Sequence, residues 1–76
     1  MKDLVEYMAK AMVESPDEVV VTERDEGHRT IIHLDVAEGD MGKVIGRGGR
    51  VAEAMRTLLK VAAAKSDVRA VLDIGD

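Results

Sequence analysis

Three of the chain's seven glycines fall within four positions, in the stretch "VIGRGG" from Val44 to Gly49. Glycine inside a helix is less favourable than alanine by about 1 kcal/mol, so so dense a cluster ends one helix before another begins. Both flanks read as helical. Ahead of the glycines, Asp40 is placed to cap a short helix over Met41 to Ile45. Behind them a longer helix is expected from about Gly49 to Lys65, with Val51, Met55, Leu58, Leu59 and Ala62 at i, i+4, i+7, i+8 and i+11. A broken helix pair in mid-chain makes a crossover, and a crossover lets the strands on either side of it pair in parallel.

Those strands show in β-branched content and alternation. "VVVTERDEGHRTIIHLDV" reads as a hairpin, with Val19 to Thr22 as one strand, Thr30 to Val36 as the other, and Arg24 to His28 connecting them around Gly27. In the second strand Ile32, Leu34 and Val36 share the core face, while Ile31, His33 and Asp35 share the opposite one. Ser66-Asp67 breaks the long helix, and "VRAVLDI" supplies a last strand with Val68, Ala70, Leu72 and Ile74 turned inward. At the other end, "KDLVEYMAKAMVESPDE" places Leu4, Val5, Met8, Ala11 and Met12 at helical spacing. Ser15-Pro16-Asp17 ends that helix, because proline pushes the residue before it out of the α region. The expected fold is α+β in the order α-β-β-α-α-β. It is one domain over residues 1–76, a three-stranded mixed sheet with helices on one face.

A chain of 76 residues buries only about 60% of its unfolded surface, so the core has thin reserves. The absence of cysteine excludes disulfides and thiolate metal sites. With no Phe or Trp and a single tyrosine, Tyr7, expected at the edge of the core, an aromatic platform for stacking bases is excluded as well. No apolar run approaches the roughly 20 residues that span a bilayer, and no apolar leader precedes Lys2 and Asp3. A soluble, cytoplasmic protein is expected, with no membrane partner. The net charge of −4 conceals an asymmetry. Between residues 41 and 65 six bases (Lys43, Arg47, Arg50, Arg56, Lys60 and Lys65) meet one acid, Glu53, whereas the remainder holds five bases and fourteen acids. Such a distribution draws an anion to one segment and discourages it elsewhere.

"GRGG" sits at the joint of the two helices, inside that basic segment. Gly46 suits the left-handed conformation that ends the short helix. Gly48 and Gly49 leave the backbone bare where the long helix begins, and a helix start offers free N–H groups and a positive dipole end to a phosphate. Arg47 stands at the tip, with Lys43 and Arg50 a turn away on either side.

With the aliphatic pair Val44-Ile45 before it, Gly46-Arg47-Gly48-Gly49 resembles the GXXG loop of KH domains. The element order resembles the type II KH arrangement over the whole chain, and a stand-alone domain of this length is similar to the small bacterial KH proteins of the KhpA family. The resemblance implies single-stranded RNA as partner, its backbone clamped over about four nucleotides by the loop. The implied RNA-binding residues are Gly46, Arg47, Gly48, Gly49, Lys43, Arg50, Val44 and Ile45. It also implies a role as an RNA chaperone working with a second KH protein and linked to cell-length and cell-wall control. Gly48 departs from the family pattern, where a polar or basic residue often sits, and leaves Arg47 as the only charged residue at the tip. Bases in a KH groove lie on an aliphatic floor, for which Val44, Ile45 and Val51, with Leu34 or Val36, are the candidates.

No reaction is expected. "GRGG" is not G-x-G-x-x-G, and nothing matches G-x-x-x-x-G-K-[ST], so dinucleotide and P-loop sites are unsupported. His28 and His33 lack companions at ligand or triad spacing, and Ser15 and Ser66 sit at helix ends where capping and turn roles suffice. No catalytic residue, metal or cofactor follows. The alternative reading is a protein-interaction module in which "GRGG" is only a turn. Val20, Ile31 and Val71 would then form an apolar patch on the outer sheet face, with Val61 and Ala64 on the long helix as a second surface. Either would serve a homodimer or a pair with another KH-domain protein.

Overall fold

The computed structural model describes residues 1–75. The elements run α1 (Lys2–Met12), β1 (Val20–Glu26), β2 (Arg29–Asp35), α2 (Met41–Ile45), α3 (Arg50–Ala64) and β3 (Arg69–Ile74), with single 3-10 turns at Pro16–Glu18, Glu38–Asp40 and Arg47–Gly49. The sheet order is β1-β2-β3. β1 pairs antiparallel with β2, and β2 pairs parallel with β3 across the α2–α3 crossover. This is the expected α+β architecture.

One core joins the layers. Val5 and Ala9 of α1, Ile32 and Leu34 of β2, Val44 of α2, Met55 and Leu59 of α3 and Leu72 of β3 pack together, with Val19, Val21 and Val36 completing the cluster. The alternation along β2 falls as expected, with Ile32, Leu34 and Val36 buried and Ile31, His33 and Asp35 half-buried on the other face. Burial of a Val, Leu or Ile side chain contributes about 1.5–3 kcal/mol each, so these few residues carry much of the stability of so small a domain.

Three expectations change. β1 extends to Glu26, four residues beyond Thr22, and the hairpin turns on Gly27 and His28 alone, with Gly27 at φ 73°. The extra strand is charged. The Glu26 carboxylate accepts from Arg29 Nη2 at 3.0 Å and Arg24 Nε at 2.9 Å. Arg29 and then Arg24 hold that carboxyl below the ordinary carboxylate range. Cross-strand charge pairing does here what apolar alternation does elsewhere.

The buried stripe of α3 is also rotated. Ala52, Met55, Leu59 and Ala63 face the sheet, whereas Leu58 is 52% exposed, and Val51 and Ala62 are half-buried. In an alanine-rich helix the apolar surface is wider than the contact. The small Ala52 and Ala63 fit against the sheet, and larger residues are displaced toward α1. α1 shifts likewise: it buries Val5 and Ala9, while Ala11 is exposed.

The third change concerns Asp40, which occupies the N-cap position of α2 but makes no side-chain cap there. Its carboxylate, only 3% exposed, instead accepts from the backbone N–H groups of Glu14 at 3.1 Å and Ser15 at 3.0 Å. Accordingly α1 stops at Met12, ahead of the Ser15-Pro16 break, and Val13 turns extended. The freed amides of the linker reach the carboxylate 25 residues further on. A buried carboxylate must be partnered, and these two donors satisfy it.

Candidate nucleic-acid interface

The joint between α2 and α3 is built from three positive-φ glycines of two kinds. Gly46 has φ 78° and ψ 169°, a region open in practice only to glycine rather than the left-handed helical one expected. A Cβ there would lie 2.5 Å from Val51 Cγ2 and 2.8 Å from Val51 N, so close packing also demands glycine. Gly48 (φ 66°, ψ 17°) and Gly49 (φ 78°, ψ 12°) are left-handed, and a Cβ on either would meet nothing within 4 Å. Gly46 makes the turn. Gly48 and Gly49 leave open space over bare main chain.

α3 starts directly from Gly49 with no side-chain cap on its first N–H groups. Gly49 N–H donates to Gly46 O at 3.1 Å and Arg50 N–H to Arg47 O, so what this end of α3 brings to the glycine joint is the positive end of its helix dipole. Arg47 and Arg50 flank it, both exposed, and among the described residues neither has an acid within 4 Å. Lys43 is differently engaged, with its Nζ 3.9 Å from both Glu14 and Asp40. It leans toward the N-terminal linker and stands behind the loop.

The aliphatic floor lies elsewhere than expected. Val44, Leu34 and Val36 are buried in the core and offer no surface to a base. Of the remaining candidates, Ile45 is 37% exposed and Val51 is half-buried, both beside the loop. The larger concave surface is a trough between α3 and the outer edge of β3, the edge that has no strand partner. One hollow of about 550 Å³ is lined by His28, Lys60, Ala63, Val68, Arg69 and Ala70 among others. A second, of about 180 Å³, continues it past Arg56, Leu59 and Leu72. Lys60 and Arg69 line both hollows and have no acid within 4 Å among the described residues. Arg56 donates through Nε to Leu72 O at 3.4 Å and through Nη1 to Glu53 at 2.9 Å.

The glycine loop points to Lys43, Arg47 and Arg50 but not to Arg56, Lys60 and Arg69. The available signal was the i, i+4 spacing of Arg56 and Lys60 next to the buried Met55 and Leu59. That spacing sets both cations on the flank of α3 nearest the edge strand.

The candidate protein-interaction surfaces are also rearranged. On the outer sheet face Ile31 and Val71 are register partners, but Val20 pairs with Asp35. The row Thr22–His33–Asp73 separates them, with His33 Nδ1 hydrogen-bonded to Asp73 Oδ2 at 3.0 Å. The expected patch is therefore split by polar groups. A more continuous apolar surface lies between α1 and α3, where Tyr7, Met8, Ala11, Ala54 and Leu58 border a hollow of about 290 Å³. Tyr7 is 74% exposed there, well outside the core edge, and Val61 and Ala64 are exposed further along the same helix. Among the described residues no helix is long and apolar enough to cross a membrane.

A sequence profile of the KhpA/KhpB KH domain matches residues 2–74. The chain is 51% identical over 76 residues to the RNA-binding protein KhpA of Halalkalibacterium halodurans, covering all of both chains. It is 50% identical over 74 residues to that of Clostridium acetobutylicum, covering 97% of this chain and 99% of the relative. For the Treponema pallidum protein of the same name the figure is 45% over 75 residues, covering 99% and 94%. No solved structure matches at a comparable level of significance. With the profile matched over residues 2–74 and full-length identity of 51%, the chain belongs to the KhpA/KhpB family of KH domains.

Proposed function

We propose that the chain binds single-stranded RNA, with the sugar-phosphate backbone on the Gly46–Gly49 loop and the bases in the trough between α3 and β3. The observation that carries this reading is the open main chain at Gly48 and Gly49, where a Cβ would meet nothing within 4 Å, beside the exposed Arg47 and Arg50. Phosphate oxygens would take the two guanidinium groups at the positive end of the α3 dipole. The bases would turn onto aliphatic surface rimmed by Lys60 and Arg69, which needs no aromatic platform. The names of the relatives, each an RNA-binding protein KhpA, support the same reading. This is binding without a chemical step, and a cytoplasmic location is part of the same proposal.

The family resemblance extends the proposal to RNA chaperoning alongside a second KH-domain protein, and to a part in cell-length and cell-wall control. A second reading, as a protein-interaction module, is favoured by the exposed apolar surface of Tyr7, Leu58 and Val61. Pairing through it, with another copy or with another KH protein, is compatible with RNA on the opposite flank of α3.

The test is the double variant Arg47→Asp/Gly48→Asp. Both side chains point into open space, and aspartate tolerates the left-handed backbone, so the circular dichroism spectrum should be unchanged. Two negative charges at the phosphate position should abolish a mobility shift of short single-stranded RNA. For the wild type, neutralising about three phosphates gives a log–log salt slope near −2 on single strands. A folded double variant that binds as well as wild type would refute the loop's role.

A further inference from the structure

Residues 46–50 are three glycines and two exposed arginines, so no side chain of the loop is anchored in the core. Glycine has the widest backbone freedom of any residue, and a loop made this way keeps one shape only if something outside it holds it. Two of its backbone bonds meet at Gly46, whose N–H donates to Gly42 O at 2.8 Å and whose carbonyl accepts from Gly49 N–H at 3.1 Å. What fixes Gly46 therefore fixes both.

Val51 is placed to do so. The three atoms nearest to a Cβ placed on Gly46 all belong to it: Cγ2 at 2.5 Å, N at 2.8 Å and Cβ at 2.9 Å. A β-branched residue in a helix has one strongly preferred rotamer, so Cγ2 is a stiff support. Behind it, Val51 borders the apolar hollow of α1 and α3 with Met8, Met12 and Leu58. The residues of α3 that line the trough are others, among them Arg56, Leu59 and Lys60. Val51 thus stands on the flank of α3 away from the bases and meets the RNA site through Gly46.

We infer that Val51 is a positioning residue for the RNA site: its branched side chain braces Gly46, and with it the two hydrogen bonds that shape the loop before RNA arrives. This rests on the RNA-binding reading above and adds what keeps the loop ready. A braced loop spares binding the entropy of ordering a glycine-rich segment.

Two substitutions separate shape from burial. Val51→Thr keeps the branched outline and loses apolar character. Val51→Leu keeps apolar character and loses the outline, because leucine has a single γ carbon. Amide exchange at Gly46 and Gly49 is measured without RNA, and affinity for the uridine heptamer U7 by fluorescence anisotropy. Val51→Leu should speed exchange at both amides, with Ile32 and Leu34 still protected. It should also weaken U7 binding about tenfold, the low end of what losing a supporting residue costs a metal site. Val51→Ala, which removes both γ carbons from a good helix position, should behave as leucine does. Val51→Thr should stay within about twofold of wild type in both readouts, although it melts at a lower temperature than Val51→Leu. A role in burial alone gives the reverse order, with leucine close to wild type and threonine worse. That order, or equal effects of the two substitutions, would overturn the inference while U7 binding by wild type left the RNA-binding reading intact. No binding of U7 by folded wild type would overturn both.

Discussion

At the start of α3 the backbone takes positive φ at Gly46, Gly48 and Gly49, and at its end it does so at Asp67, with φ 56°. The second turn is closed by its own bonds, Val68 N–H to Ala63 O at 3.1 Å and Asp67 N–H to Ala64 O at 3.2 Å. Those are the two bonds of a Schellman motif, a position where glycine is the common residue and aspartate is tolerated. Where the chain only has to stop a helix, it accepts a side chain in the left-handed region. Where it starts the same helix it uses glycine, even at two positions where a side chain would meet nothing. At Gly48 and Gly49 glycine answers to the left-handed backbone and not to packing, whereas at Gly46 both demand it.

That contrast can be broken most forcefully at Gly46. Gly46→Ala forces a Cβ against Val51 and requires a backbone region closed to alanine, so it should destabilise the fold by about 3 kcal/mol. In thermal denaturation that is a fall on the order of 15 °C. A smaller loss would mean that the α2–α3 joint yields more readily than its contacts imply.

Gly49→Ala meets no neighbour and should lower stability by only about 1 kcal/mol, the penalty of a left-handed alanine. RNA affinity, measured well below the melting transition, should nevertheless fall clearly. If stability and affinity moved together, the glycine would be serving the fold alone. At the other end, Asp67→Gly should stabilise by up to about 1 kcal/mol, because glycine adopts positive φ without strain. Asp67 also lines the larger hollow, so removing its charge should strengthen RNA binding slightly in titrations at low salt. A destabilised Asp67→Gly would show that the aspartate contributes something beyond the turn.

The parts of the molecule legible in the sequence are those whose cause is local. Alternation at Ile32, Leu34 and Val36 declares a strand, and the glycines at 46, 48 and 49 declare a joint, because backbone preference acts on the residue itself. The length of β1 was not legible, since "ERDE" joins the sheet only through partners such as Arg29 across the hairpin. The rotation of α3 was hidden by its alanines, which leave several faces equally apolar. The loop of the candidate site could be read from four residues. The trough could not, because Arg56 meets Leu72, and Lys60 meets Arg69, only after the crossover has closed. The destination of Asp40 escaped for the same reason: a cap is the nearest use for such a residue, and its real partners are 25 and 26 residues away.

The Asp40 carboxylate also makes two amides into reporters. Glu14 is exposed and Ser15 half-buried in a short linker, where backbone protons ordinarily exchange with solvent quickly. Their N–H groups are held only while Asp40 keeps its place at the head of α2, six residues before Gly46. Slow hydrogen–deuterium exchange at Glu14 and Ser15 would therefore register whether the support under the glycine loop is intact, from a part of the chain that no bound RNA need touch. Loss of protection there on Asp40→Ala, with the amides of β2 still protected, would show that support giving way while the sheet stays folded.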